Sequence, residues 1–305
     1  MPQTGQTIHA ELIAVLVAVT QGVPRVLTLA DGSTLPEGPL EPTHRSLQAG
    51  LRAWVEQQTH HPLGYVEQLY TFADQARRFE ARGAERSISI SYLGLTREAA
   101  PDQRISWQDW YRYFPWEDQR GEDRRDGPAL EGRITDGLER WQARDATRRL
   151  RVAHAFGREG IAWNEELVLA RYQLLYEAGL VPEAVRDGRS AHGELVAGSA
   201  MVADHRRILA TAISRLRAKI KYRPVVFELL AESFSLLDLQ RCVEALAGQH
   251  VHKSNFRRVM EGQNLLEETG KLTAGPGRPA KLFRFRAAVR AERDISDTRV
   301  PTMRT

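Results

Sequence analysis

Between Lys253 and Arg284 the chain carries residues suited to gripping a polyanion. Lys253, Ser254, Asn255, Arg257 and Arg258 fall in one short run, and Arg278, Lys281 and Arg284 follow it. Lys and Arg neutralise phosphates, whereas Ser, Asn and Arg also hydrogen-bond base edges in a groove. Charge is distributed to match. Residues 219–290 hold 13 Lys and Arg against 7 Asp and Glu, a net +6, while residues 1–218 hold 27 Arg against 29 acids, a net −2. Every Lys lies between Lys219 and Lys281. The expected partner of this end is double-stranded DNA, bound with a steep salt dependence because phosphate neutralisation releases counterions.

These residues need a scaffold, and the local pattern supplies one. It predicts helices over Val225–Leu230, Leu236–Leu246 and Lys253–Gln263, then a hairpin closed at Gly275-Pro276-Gly277-Arg278-Pro279. On a helical wheel the third helix places Phe256, Val259 and Met260 on one face, with Ser254, Asn255, Arg257 and Arg258 turned away. Three small helices presenting a basic helix, with a basic hairpin behind, form the winged helix-turn-helix pattern. There the third helix enters a major groove and the wing reaches backbone or minor groove. Ser254, Asn255, Arg257 and Arg258 are the candidates for groove contact. Lys253, Arg278, Lys281 and Arg284 are the candidates for phosphate or minor-groove contact, with Arg278 at the hairpin tip suited to a narrow minor groove.

The rest of the composition bounds the class. At 305 residues and 42% hydrophobic content, the chain has room for two domains, each with a core. The single cysteine, Cys242, excludes an internal disulfide and fits a cytoplasmic setting. It reads as a small buried hydrophobe, not a catalytic thiol. The apolar stretch Ile8 to Val19 is broken by His9 and Glu11, so no membrane span is expected, and the first residues lack the positive start of a secretory signal.

Ahead of the basic end, Ala10–Thr20 and Pro24–Ala30 read as strands around the turn Gln21-Gly22. Leu47, Leu51, Trp54 and Val55 recur at helical spacing over Thr43 to Thr59, with Thr43 as the cap. Tyr65–Phe72 and Ser87–Leu95 return to alternation. Past Pro101, Trp107, Trp110, Tyr111, Tyr113, Phe114 and Trp116 crowd ten residues, either as a stacking platform for a nucleotide or, as we favour, as a packing knot. Helices are expected near Ala129–Arg151, Asn164–Glu177 and Met201–Ile220. Residues 291–305 read as a flexible tail. The fold class is α+β.

The segment Gly38 to Thr59 resembles the Nudix box, which runs Gly, five residues, Glu, seven residues, Arg-Glu-aliphatic-any-Glu-Glu, any, Gly. Gly38, Arg52 and Glu56 keep their box identities. His44, Ala53 and Gln57 stand where the box has Glu, Trp54 takes the aliphatic position and Thr59 replaces the last Gly. Hard cations need several oxygen ligands around a pyrophosphate. Glu56 is the only box carboxylate left on the helix, so neither a metal cofactor nor hydrolysis is expected. The alternative, an active pyrophosphatase on ADP-ribose or NADH, would have to recruit Glu37, Glu41 and Glu67 alongside Glu56.

Further likeness lies in Gly64–Asp74, Ser87–Leu95, Asp204–Tyr222, Tyr222–Leu230, Asn255–Arg258 and Gly277–Phe285. Together these resemble the Nudix-related transcriptional regulators of NAD metabolism. The resemblance implies a Nudix-like α/β/α sandwich in residues 1–100, completed by the helix at 201–222. It further implies a mostly helical insertion at 101–200 and a winged helix at 223–290. It also implies a homodimeric repressor of NAD biosynthesis or salvage genes whose sensor binds ADP-ribose or a related nucleotide. Arg52 would pair with a phosphate or brace Glu56 across one turn. Tyr70, Phe72 and Tyr92 would flank the adenine or serve as core.

Overall fold

In the computed structural model, residues 8–59, 63–73, 86–98, 105–121, 127–222, 225–274 and 279–287 are described. The expected hairpin tip with Arg278 and the tail at 291–305 lie outside them. Strand β1 (Ile8–Thr20) is the spine of the first sheet, with Leu12 to Ala18 all buried. An uninterrupted apolar run is what a strand covered on both faces requires. The two-residue turn at Gln21 and Gly22, both at positive φ (53° and 75°), returns it as β2 (Val23–Thr28). Short β3 (Glu37–Pro39) pairs with the start of β1, β4 (Tyr65–Phe72) pairs with β5 (Arg86–Leu95), and β5 runs parallel to β1. Strand β6 (Ser106–Asp109) pairs with β2, giving the order β4-β5-β1-β2-β6. The expected boundary near residue 100 therefore needs correction, because the strand just beyond it completes this sheet.

Two helices cover the sheet. On one face α1 (Leu47–Thr59) packs Leu51 and Val55 against Leu12, Ala14, Leu16, Val66, Tyr92 and Trp107. Its N-terminus is capped by Ser46, whose hydroxyl accepts from the Ala49 amide at 3.1 Å. Thr43, the expected cap, sits in the preceding loop. On the other face lies the apolar side of a long helix described below, whose Ile208, Leu209, Ala212 and Leu216 join Ile13, Val15, Val17, Leu93 and Leu95.

After β6 the aromatic run folds into two 3₁₀ turns, Trp110–Arg112 and Pro115–Glu117, with Trp110, Tyr113 and Phe114 fully buried. These rings pack; they do not form an open platform. The helix expected over Ala129–Arg151 is two helices, α2 (Gly127–Gln142) and α3 (Ala146–Phe156). Ala143 at φ 44° breaks the first, and Asp145 caps the second by accepting from the Arg148 amide. Helices α4 (Val168–Glu177), α5 (Pro182–Arg186) and α6 (His205–Tyr222) follow.

The C-terminal unit starts with a 3₁₀ turn, Val225–Leu229, where a helix was expected. Then come β7 (Phe234–Ser235), α7 (Leu236–Ala247), α8 (Lys253–Gly262), β8 (Leu266–Leu272) and β9 (Lys281–Phe285), with strand order β7-β9-β8. Ser235 and Asp238 form a reciprocal capping box on α7, and Gly248 ends it at φ 71°. Val226, Leu229, Phe234, Leu239, Cys242, Leu246, Phe256 and Phe285 form the core of this unit, continuous with that of the body.

Candidate nucleic-acid interface and nucleotide cleft

Helix α8 is held by one ring. Phe256 is buried and Met260 packs beside it, while Lys253, Ser254, Asn255, Arg257 and Arg258 are all exposed. The Arg258 guanidinium donates to Asn255 Oδ1 at 2.9 Å, so the two form one polar group on the surface. Ser254 Oγ lies 2.9 Å from His252 Nδ1. Val259, expected in the core, is instead 40% exposed. Three residues on from Phe256 it lies about 60° round the helix, towards Asn255 and away from Met260. The small core does not reach that far. Helical spacing gave no sign of this, because apolar residues three and four positions on look equally buried.

The wing is β8 and β9. Lys281 and Arg284 are exposed, and each is already paired: Lys281 Nζ with Glu268 Oε1 at 2.8 Å, Arg284 Nε with Glu267 Oε1 at 2.6 Å. Arg286 Nε donates to the Leu266 carbonyl at 3.2 Å and ties the base of the hairpin. Lys271, which sequence reasoning passed over, is also exposed on β8.

Around α1 the expected residues are placed apart. Arg52 neither braces Glu56 nor points to an open cleft. Its guanidinium donates to the carbonyls of Leu63 and, at 3.0 Å, Gly64, fixing the entry to β4. Glu56 is exposed on the next turn. Tyr92 is 2% exposed within the α1-side core, and burial pushes its hydroxyl above the usual phenol value. Phe72 lies on the opposite face of the sheet, with the Arg207 guanidinium 5.0 Å from its ring centre. Tyr70 sits in the bulge between Gln68 and Thr71 and is 63% exposed. The expected ring of aromatics therefore does not converge: Tyr92 is buried on the α1 side, Phe72 packs on the other face, and Tyr70, at the bulge, is exposed.

The carboxylates are occupied too. Glu37 Oε2 lies 3.2 Å from His205 Nε2; His205 Nδ1 accepts from the Leu35 amide at 2.9 Å, so Nε2 carries the proton. Glu67 is on the α6 face, where Arg215 and Lys219 both reach it. Burial alone would raise its carboxyl, but hydrogen bonds from Lys219, Tyr65 and Arg215 outweigh this and hold it below the ordinary value. His44, in the position of the first box Glu, uses Nδ1 to accept from the Glu41 amide at 3.1 Å. Gln58 exchanges two hydrogen bonds with the backbone of Glu37. Among the described residues no group of three or more His, Cys, Asp or Glu is arranged to hold a metal ion.

A mixed sheet flanked by α1 and α6, followed by a winged helix, defines the class by its fold: a Nudix-like domain with a C-terminal winged helix. Residues 226–285 match the family model described as the NrtR DNA-binding winged helix domain. The ADPR responsive transcriptional repressor NtrR of Acinetobacter baylyi is 35% identical over 82 residues, which is 27% of this chain and 33% of that protein. The match thus spans about a third of the relative's length. The structure of Shewanella oneidensis NrtR complexed with a 27mer DNA aligns over 92% of this chain and 95% of that one, with TM-score 0.55 and 18% identity. A MutT/nudix family protein from Enterococcus faecalis aligns over 94% and 89%, with TM-score 0.52 and 13% identity. Among the described residues no helix is long and apolar enough to cross a membrane.

Proposed function

We propose that this protein is a cytoplasmic, homodimeric transcriptional repressor of NAD biosynthesis or salvage genes, and that its Nudix-like domain binds ADP-ribose or a related nucleotide without cutting it. The observation carrying most weight is the match of residues 226–285 to the NrtR DNA-binding winged helix. The Acinetobacter relative is named as responsive to ADPR, and the Shewanella homologue in fold was crystallised on DNA; both support the reading.

In this reading α8 enters a major groove. Asn255 reads an adenine edge, Arg257 and Arg258 read guanine or phosphate, and exposed Val259 meets a thymine methyl. Ser254 faces the groove beside them, and Lys253 contacts phosphate near the helix N-terminus. Lys281, Arg284 and Arg278 hold the flanking backbone or minor groove. Two copies would read half-sites about one helical turn apart. The effector acts only through a difference in affinity between DNA-competent and DNA-released arrangements.

Non-hydrolysis is supported by the engagement of the carboxylates. A metal site would need Glu37, Glu41 and Glu56, helped by Glu67, yet Glu37 is bonded to His205, and Glu67 is paired on the far side of the sheet from α1. Of the nucleotide-site candidates, Glu56 and Tyr70 are exposed, whereas Arg52 is engaged by the Leu63 and Gly64 carbonyls. Thermal unfolding with ADP-ribose, NAD or NADH, alongside an assay for AMP with Mg²⁺ or Mn²⁺, tests the sensor. Stabilisation by ADP-ribose without AMP is expected. Absence of any stabilisation, or steady AMP release, would overturn it.

A further inference from the structure

Helix α6 is anchored at both ends by buried polar groups. Near its start His205, 2% exposed, grips the loop before the box through the Leu35 amide and the Glu37 carboxylate. Twelve residues later, about 18 Å along the axis, Arg217 is equally buried. Its Nη1 donates to Glu117 Oε2 at 2.7 Å and its Nε to the Leu246 carbonyl at 2.8 Å, in the last turn of α7. Glu117 is held on its other side by Arg171, at 2.6 and 2.8 Å. The same end of α7 receives the Tyr111 hydroxyl on the Ala245 carbonyl at 2.7 Å, and the Gly248 carbonyl accepts from the Gln119 amide at 2.7 Å.

A buried cluster of two arginines and one glutamate is a weak source of stability, because desolvation offsets most of the attraction. What such a cluster does supply is a fixed geometry, since each of these donors is aimed at a defined acceptor. Arg217 and Tyr111 satisfy carbonyls that the end of α7 leaves without helical partners, so the winged helix is fastened to the body by its backbone. Beside this joint, between the β1–β2 turn and α7, is a cavity of about 570 Å³ lined by Gln21, Gly22, Arg120, Arg241, Cys242 and His250. Beside the cavity the unit is bridged to the body a second time, where His250 Nε2 lies 2.7 Å from the Arg120 carbonyl.

We propose that α6 is a coupling rod, with His205 gripping the loop Leu35–Glu37 at one end and Arg217, through Glu117 and the α7 carbonyls, setting the orientation of the winged helix at the other. This rests on the sensor reading for its purpose but not for its mechanics. A nucleotide that shifts the loop pulls His205, and the rigid helix passes the shift to α7. His205, Glu117 and Arg217, all buried, act here as positioning residues.

Hydrogen–deuterium exchange on the full chain tests the mechanics. His205→Asn should raise exchange at residues 245–250 at least threefold while α2 is unchanged. Unaltered exchange at 245–250, or an equal rise in α2 that marks general loosening, overturns the proposal. Tyr111→Phe, which deletes one hydroxyl and keeps the ring, should raise exchange at the same residues without unfolding the chain. DNA affinity with and without ADP-ribose tests the purpose: both variants should keep ligand-free affinity within about threefold and lose most of the ADP-ribose response. If unmodified protein shows no ADP-ribose response, the sensor reading fails while the exchange result still decides the rod.

Discussion

The indole of Trp54 occupies the space that a side chain on Gly38 would need: three of its ring carbons lie 2.2 to 2.5 Å from where a Cβ would stand. The same ring donates from Nε1 to the Pro39 carbonyl at 2.8 Å. Gly38 and Trp54 thus form a clasp between loop and helix. Gly38→Ala should displace the indole and destabilise the protein by about 1–3 kcal/mol, the usual cost of overpacking. Urea unfolding followed by Trp fluorescence measures this; an unchanged midpoint would mean that the clasp opens freely.

The wing cations face competition within the hairpin. Lys281 and Arg284 are paired with Glu268 and Glu267 on the protein surface, pairs worth only about 0.2–1 kcal/mol each. Replacing both acids by Gln should therefore tighten DNA binding for all sequences, by severalfold at low salt. Lys281→Ala should weaken it and reduce the salt slope by about one. Equal affinity in all three proteins, measured by fluorescence anisotropy, would remove the wing from the interface.

On α8 the two kinds of contact should separate. Asn255→Ala should cost about 1–3 kcal/mol at the cognate site and relax preference at one base pair. Val259→Ala should lose preference at a thymine. Lys253→Ala should weaken every duplex alike. Selection of bound sequences from a random pool by each variant distinguishes these outcomes; identical preferences for Asn255→Ala and the parent would take Asn255 out of base reading.

The winged helix was legible because charge, helical spacing and hairpin punctuation agree over one contiguous stretch. Strands β1, β2, β4 and β5 and helix α1 were legible for the same reason, each being a local pattern, whereas the short β3 was not. What failed depended on contacts distant in sequence. Nothing near Arg52 announces that its partners are the carbonyls of Leu63 and Gly64, and the burial of Tyr92 follows from α1 lying over it. The break at Ala143 inside an otherwise helical run also left no mark, because Asp145 reads equally well as an interior surface residue. The Glu117 cluster draws on the 3₁₀ turn at Pro115–Glu117, α4 and α6, and no spacing rule brings those together.

Glu67 predicts a pH dependence. Its carboxyl is held below its ordinary value in the folded protein, so it contributes stability above the unfolded value near 4.5, and that contribution is lost as pH falls through the folded value. Glu67→Gln should therefore be less stable than the parent by a constant margin from pH 7 to pH 5, with the margin closing below about pH 4. Urea titrations across this range check it, and a margin that widens on acidification has the wrong sign.

Cys242 should be silent in the native state. Burial pushes its thiol up to about 12, and the thiolate is the reactive form. An aromatic disulfide reagent at pH 8 should react only after denaturant is added. Prompt labelling of native protein would show that α7 opens readily.

The most direct measurement follows a labelled operator duplex by anisotropy while ADP-ribose is added, with nucleotide recovered and identified at the end. Release of the duplex with ADP-ribose recovered intact is the predicted result. A duplex that stays bound at saturating nucleotide, or release that tracks the appearance of AMP, would contradict the account.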